Sequence, residues 1–375
     1  MKQGWEIKKL VDICDKASSN VSQNQLTNET GNYPIYGAGG LIKNISFYHR
    51  DKEYISIVKD GAGIGRTTLL PANSSVIGTL QYLMPKKNID IRFLYYFLLG
   101  IDFLKHKNGS TIPHIYFKDY SQEQIAVPNL ETQQQIVAIL DQAFATIDQA
   151  KTNAQKNLQN AKELFESSLQ IIFTNKGKGW EEKSLEDICE ISSKLIDPKL
   201  KEFQNLIHIG AGNIESKKGT LVDLKTAKEE NLISGKFLFD KTMVLYSKIR
   251  PYLIKVVKCD FEGLCSADIY PLVPLKNVMT KDFLYYLLIT KDFTDYAIKG
   301  SQRAGMPKVN RNHLFAYKLN LPPLKEQQTL VTKLDALQIE TNKLEAIYTQ
   351  KIADLDELKK SILQKAFAGE LKVNA

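Results

Sequence analysis

"GWEIKKLVDIC" at Gly4–Cys14 returns as "GWEEKSLEDIC" at Gly179–Cys189. Gly, Trp, Glu, Lys, Leu, Asp, Ile and Cys recur in the same order, and the only two tryptophans, Trp5 and Trp180, each open one copy. A chain that begins again near its middle is a tandem duplication if the later sequence keeps step. It does. "FLYY" at Phe93–Tyr96 recurs at Phe283–Tyr286, and "VPNLETQQQIVAILD" (Val127–Asp141) recurs as "LPPLKEQQTLVTKLD" (Leu321–Asp335). From there the copies run without a gap at an offset of 194, and "LFESSLQIIF" (Leu164–Phe173) falls on "LKKSILQKAF" (Leu358–Phe367).

Each copy divides into two parts. Pro128 and the pair Pro322–Pro323 stand where proline is tolerated, before a helix or in its first turn. Apolar residues then recur at alternating steps of four and three. In the first copy they are Ile136, Leu140, Ala143, Ile147, Ala150, Ala154, Ala161, Leu164 and Ile171. In the second they are Leu330, Leu334, Leu337, Leu344, Tyr348, Leu355, Leu358 and Ile362. A seam sustained for about five heptads predicts a coiled coil, the Ala-rich stripe accommodating the Leu-rich one. Chain order predicts that the two helices run antiparallel with one globular part at each end. The expected architecture is α+β: mixed α/β domains at 1–128 and 176–322, separated by long helices at 129–175 and 323–375, with pseudo-two-fold symmetry.

Composition narrows the function. At 43% apolar the 375-residue chain can bury substantial cores, and the length suits two domains. No apolar run reaches the roughly 18 residues of a membrane span. The N-terminus lacks the basic-then-apolar pattern of a signal peptide. Cys14, Cys189, Cys259 and Cys265 form no CxxC pair, and no His cluster completes a zinc spacing. These features predict a cytoplasmic protein with buried thiols and no membrane partner. The net charge is +8, and the basic excess lies in the globular parts. Residues 1–128 hold 15 Lys and Arg against 11 Asp and Glu, and 176–322 hold 24 against 18. The helical segments hold 3 against 5 and 8 against 8. Localised basic surface predicts a polyanion partner.

Within the globular parts, "EYISIVKDG", "TMVLYSKIRPYLIKVV" and "SVIGTLQYLMP" read as strands, while "IRFLYYFLLG" and "KDFLYYLLIT" read as short buried helices. Gly-rich loops occur at Tyr36–Gly40 ("YGAGG"), Asp60–Thr68 ("DGAGIGRTT") and Ile209–Ile214 ("IGAGNI"). A dinucleotide fingerprint needs GxGxxG between a strand and a helix, whereas Gly61, Gly63 and Gly65 are spaced by two and strand-like sequence follows. These loops therefore predict close backbone approach to a partner. Tyr36, Lys59, Arg66, Thr67 and Asn213 sit on or beside them as candidate contacts. Two further loops precede the proline–helix junctions, "HKNGSTIPHIYFKDY" (His106–Tyr120) and "KGSQRAGMPKVNRNH" (Lys299–His313). They contribute Ser110, Thr111, His114 and Lys118, and Gln302, Arg303, Lys308, Asn310 and Arg311. "YSKIRPYLIK" (Tyr246–Lys255) adds Lys248, Arg250 and Tyr252. Such side chains contact phosphates or make bidentate contacts with purine edges. His114 serves a structural role equally well.

Catalytic signatures are missing. There is no Walker A loop, no (N/D)PP(Y/F/W) tetrapeptide of amino-methyltransferases, no helicase motor sequence and no Gly-x-Ser-x-Gly elbow. The residues describe a reader without a catalytic or metal centre. A coiled-coil scaffold with two peptide-binding heads would share the repeat and the helices.

The chain resembles the specificity subunit of type I restriction–modification systems over essentially its whole length. The resemblance is carried by the two "GWE" openings, by "YSKIRPYLIK", by "PPLKEQQTLVTKLD" with its twin "PNLETQQQIVAILD", and by the closing "LQKAFAGEL". The first copy departs at Asn129, in place of a second proline, and at Thr132, in place of glutamate. The resemblance implies two target-recognition domains, each reading one half of a split double-stranded DNA sequence. It implies helices that set the spacing and dock two methyltransferase subunits, with translocating restriction subunits joining them. It implies no cofactor in this chain, with S-adenosylmethionine in the methyltransferase and ATP and Mg in the restriction subunit.

Overall fold

In the computed structural model, which describes residues 4–302 and 305–371, the chain forms two compact units. The first joins Met1–Gln155 to Thr349–Ala375, and the second is Lys156–Tyr348. The helices in chain order are α1 (Leu10–Ile13), α2 (Ile91–Gly100), α3 (Phe117–Tyr120), α4 (Leu130–Thr174), α5 (Lys281–Leu288), α6 (Lys291–Lys299), α7 (Arg311–Phe315) and α8 (Leu324–Phe367). Each unit thus contains a globular part and a section of both long helices, α4 and α8. No helix among the described residues is long and apolar enough to cross a membrane.

The repeated opening motif closes each globular part. Strand Glu6–Lys9 pairs antiparallel with Gln124–Val127, and Glu181–Ser184 pairs with Lys318–Leu321, the strand that leads into the long helix. The repeated letters each have a structural task. Asp12 and Asp187 accept the backbone N–H of Lys9 and Ser184 at 3.1 and 2.7 Å, bracing the turn. Leu10, Ile13 and Cys14 are buried, as are Leu185, Ile188 and Cys189. Burial pushes the Cys14 and Cys189 thiols up to about 12, so both stay protonated.

In the first unit, a four-stranded antiparallel sheet runs Cys14–Ser18, Leu80–Pro85, Tyr54–Val58, Thr67–Leu70. Beside it lie Gly40–Ile45, Tyr33–Gly37 and Ser75–Val76, the last pair parallel. The second unit repeats the plan with Cys189–Ile191, Ile269–Pro274, Val244–Ser247 and Val256–Lys258. Its companion sheet has five strands, with Ile207–Ile209 parallel to Gly263–Cys265. "TMVLYSKIRPYLIKVV" is therefore two strands and not one. A turn at Pro251–Leu253 breaks it, flanked by Arg250 and Ile254 in the left-handed region at φ 49° and 46°. That conformation is costly for non-glycine residues and above all for β-branched isoleucine.

The long helices are locked to their globular parts by buried side chains. The fully buried Gln133 accepts the Asp90 N–H at 2.8 Å and donates to the carbonyls of Asn88 and Pro128. Gln327 does the same with Thr280 N–H and the carbonyls of Val278 and Pro322. One full turn or more along, the Tyr96 hydroxyl donates to Asp141, and the Tyr286 hydroxyl donates to Asp335 at 2.5 Å. Asn129, where the second copy has Pro323, caps α4 by accepting the Thr132 N–H at 2.9 Å.

Burial along α4 and α8 follows steps of four and three and keeps part of the expected seam, with Ile136, Leu140, Ile147, Ala154, Ala161 and Leu334 buried. In the first unit Val137, Leu140, Phe144, Ile147 and Ala154 are buried on α4, with Ile352, Leu355, Ile362 and Ala366 turned inward on α8. Lys151 bonds the Asp356 carboxylate at 2.6 Å and Lys359 bonds Asp148 at 2.9 Å, which sets an antiparallel register there. In the second unit the inward positions are Leu158, Ala161, Phe165, Ser168 and Ile172, and Val331, Leu334, Thr341 and Tyr348. Leu164, Ile171, Leu344 and Leu358, expected in the seam, are 48, 57, 36 and 46% exposed. The frame starts at Gln133 and Gln327, polar residues that an apolar template skips. Starting at Ile136 and Leu330 keeps every second inward position and misplaces the alternate ones by one residue.

Candidate nucleic-acid interface

In the first unit the Gly-rich loop and the loop before α4 are bonded edge to edge. Gly61 N–H donates to the Pro113 carbonyl at 2.8 Å, and Ile115 N–H donates to the Lys59 carbonyl at 2.9 Å. Isolated bridges join Asp60 and Asn108 to His114. Lys59 N–H reaches the Thr79 carbonyl, and Val58 N–H reaches the Arg66 carbonyl.

The second unit repeats these four bonds with different letters. Arg250 N–H donates to the Pro307 carbonyl at 2.9 Å, and Val309 N–H donates to the Lys248 carbonyl at 2.8 Å. Lys248 N–H reaches the Asp268 carbonyl, and Ser247 N–H reaches the Lys255 carbonyl. Lys59 is thereby equivalent to Lys248, Gly61 to Arg250, Pro113 to Pro307 and Arg66 to Lys255. Gly61 and Arg250 share a positive φ, 95° and 49°. The Arg66 guanidinium donates to the Ala38 carbonyl at 2.5 Å, and the Lys255 ammonium likewise bonds the Ala211 carbonyl. Two of the three "GAG" turns, at Gly37–Gly39 and Gly210–Gly212, are therefore counterparts, each held by a cation from the neighbouring hairpin. Sequence reading missed Lys255 and this equivalence. The repeated "GAG" was the available signal.

Most candidates lie on these joined loops. Ser110, Thr111 and Lys118 are exposed, with the Lys118 ammonium 5.5 Å from the centre of the Tyr116 ring. The His114 ring bonds the Ile112 carbonyl at 3.2 Å, so it shapes the loop tip. Tyr36 and Arg66 line a cleft of about 270 Å³ with Ser56 and Thr68. Lys59 lies beside Asp60 at 3.7 Å. In the second unit Arg250, Tyr252, Gln302, Asn310 and Arg311 are exposed. Arg311 covers the Phe315 ring at 5.3 Å, and the Asn310 side chain accepts the His313 N–H, capping α7. Lys308 bonds Asp268 at 3.1 Å, and Lys248 lies 4.9 Å over the Tyr270 ring. Partial burial, reinforced by the Lys308 charge, lowers the Lys248 pKa below that of a free lysine. Arg303 lies outside the described residues.

Two candidates are corrected. Thr67 is only 8% exposed and its hydroxyl donates to the Gly65 carbonyl, because it begins the strand Thr67–Leu70 opposite Ile57 and faces inward. Its neighbour Thr68 takes the outward position. The Asn213 side chain is consumed within its own loop, accepting from Gly210 N–H at 2.8 Å and donating to the carbonyls of Val222 and Asp223. No cluster of His, Cys, Asp and Glu suited to a metal occurs among the described residues.

A family model described as the type I restriction modification DNA specificity domain matches residues 2–159 and 177–353. The chain is 26% identical to the EcoDI specificity subunit of Escherichia coli, over 98% of this chain and 88% of that one. It is 24% identical to the MjaVIII specificity subunit of Methanocaldococcus jannaschii, over 85% and 79%. A chain from the solved assembly of a type I R-M system shares the fold, with a TM-score of 0.77 at 14% identity and 99% coverage of both chains. The HsdS subunit from Thermoanaerobacter tengcongensis has a TM-score of 0.57 at 17% identity, covering 99% of this chain and 98% of that one.

Proposed function

Because the chain belongs to the type I restriction modification DNA specificity family, we propose that each unit reads one half of a bipartite duplex target through its joined pair of loops. The protein is a DNA sequence-recognition subunit without catalysis of its own, and it works with methyltransferase and restriction subunits. The single observation that carries the two-half reading is the repeated bonding of Lys59–Pro113–Ile115 and Lys248–Pro307–Val309. One backbone frame presents two different sets of side chains, as two readers of unlike sequences require.

On this reading Lys59, Lys118, Lys248, Arg250 and Lys308 neutralise phosphates, while Ser110, Thr111, Gln302, Asn310 and Arg311 approach base edges. The long helices hold the spacing between half-sites and dock two methyltransferase copies. S-adenosylmethionine belongs to the methyltransferase, ATP and Mg to the restriction subunit, and the assembly works in the cytoplasm. The test is methylome sequencing of a host expressing this chain with its methyltransferase. A methylated motif of two defined blocks around an unspecified gap is expected. A single continuous motif would refute the two-half reading.

A further inference from the structure

Directly ahead of the proline in each joined loop stands a large apolar side chain in solvent. Ile112 precedes Pro113 and is 66% exposed, and Met306 precedes Pro307 and is 44% exposed. The matching bonds from Gly61 to Pro113 and from Arg250 to Pro307 make these two positions equivalent. The backbone beneath each is shaped by a glycine at positive φ, Gly109 at 81° and Gly305 at 95°. A Cβ on Gly109 would lie 2.5 Å from the Ile112 carbonyl oxygen, which also receives the His114 ring bond. In the first unit the tip is therefore tight beneath Ile112, whereas a Cβ on Gly305 would meet nothing. The bonded loops carry Lys59, Lys107 and Lys118 in the first unit, and Lys248, Arg250 and Lys308 in the second, with Asp60 beside Lys59 and Asp268 bonded to Lys308.

A basic rim draws the tip to a polyanion, and an apolar summit then favours an apolar slot. In duplex DNA that slot is the gap between stacked base pairs, and isoleucine and methionine are among the side chains that wedge into it. We propose that Ile112 and Met306 are wedges, one per unit, that push between adjacent base pairs of the bound half-site. The proposal rests on the DNA-recognition reading above and adds a mode of specificity to it. Unstacking costs least at pyrimidine–purine steps, so each wedge selects its step by deformability and not by hydrogen bonding.

The test uses the full chain assembled with its methyltransferase on the methylome-derived target, with 2-aminopurine placed at one position at a time. The methylated base supplies an internal control, since methyltransferases extrude their target base. Beyond that base, wild-type complex should show bright 2-aminopurine at one step in each half-site. I112A should quench the bright step in one half only and M306A in the other. Each should weaken cognate binding about tenfold, roughly 1.4 kcal/mol. The salt slope should stay unchanged, because no phosphate contact is lost. I112L and M306L should retain the signal. Brightness surviving in both alanine variants, or present only at the methylated base, overturns the wedge and leaves DNA recognition standing. Loss of methyltransferase association in the alanine variants also overturns it, by assigning these residues to a protein interface. A wild-type complex without salt-sensitive DNA affinity overturns both readings.

Discussion

Thr67 and Thr68 differ by one position, and the difference decides which can meet a ligand. Side chains alternate across a strand, so Thr67 opposite Ile57 turns in and Thr68 turns out to the cleft with Tyr36 and Arg66. The sequence "GIGRTTLL" does not mark where the loop stops and the strand begins, and therefore hides the facing. Asn213 misleads differently, because an amide that suits a base edge suits a tight turn equally well. What remains exposed makes a sharp expectation. Lys59→Ala should weaken binding to all sequences alike and reduce the salt slope by about one. Arg311→Ala, at an arginine placed on base edges, should cost about 1–3 kcal/mol and relax one base position. Thr67→Val should leave DNA affinity and salt slope unchanged. Fluorescence anisotropy over a salt series separates these outcomes, and unchanged binding in both the lysine and arginine variants would remove the joined loops from the interface.

Among elements, the junction between globular part and long helix explains the most repeated letters. The first Gln of "ETQQQ", Gln133, and its counterpart in "KEQQT", Gln327, are single buried amides that satisfy three backbone groups each. Leaving a buried backbone group unsatisfied costs about 1–3 kcal/mol. Gln327→Ala should therefore destabilise the second unit by roughly 2–4 kcal/mol once partial water entry offsets part of the loss. Trp180 reports that unit when Trp5 is replaced by Phe, so fluorescence-monitored urea unfolding measures the effect. A shift below about 0.5 kcal/mol, the size of an ordinary surface substitution, would show that the glutamine does not fasten the helix. The helices themselves were legible as long and periodic from the proline-free apolar repeat. Their inward frame was half legible: Leu140, Ile147, Ala154, Ala161, Leu334, Leu355 and Ile362 lie in it as expected, while the alternate positions begin at these two glutamines and include Lys151 and Lys359.

At the scale of the whole chain, duplication is the property that the sequence displays most openly and the structure extends furthest. The "GWE" openings recur as matching strand pairs, and "FLYY" and the "LD" ends of the helix motifs recur as matching Tyr–Asp side-chain bonds. The loops that differ most in sequence turn out to share the same backbone bonding. Their common frame was hidden because backbone N–H and C=O groups make it, and these carry no side-chain signature. A frame kept constant beneath variable side chains is the physical basis for two independent readers. The most direct measurement exchanges residues 1–128 for the equivalent segment of a relative with a different target, followed by methylome sequencing beside the wild type. One block of the bipartite motif should change to the donor's, with the other block retained. A change in both blocks, or in neither, would contradict independent reading by the two units.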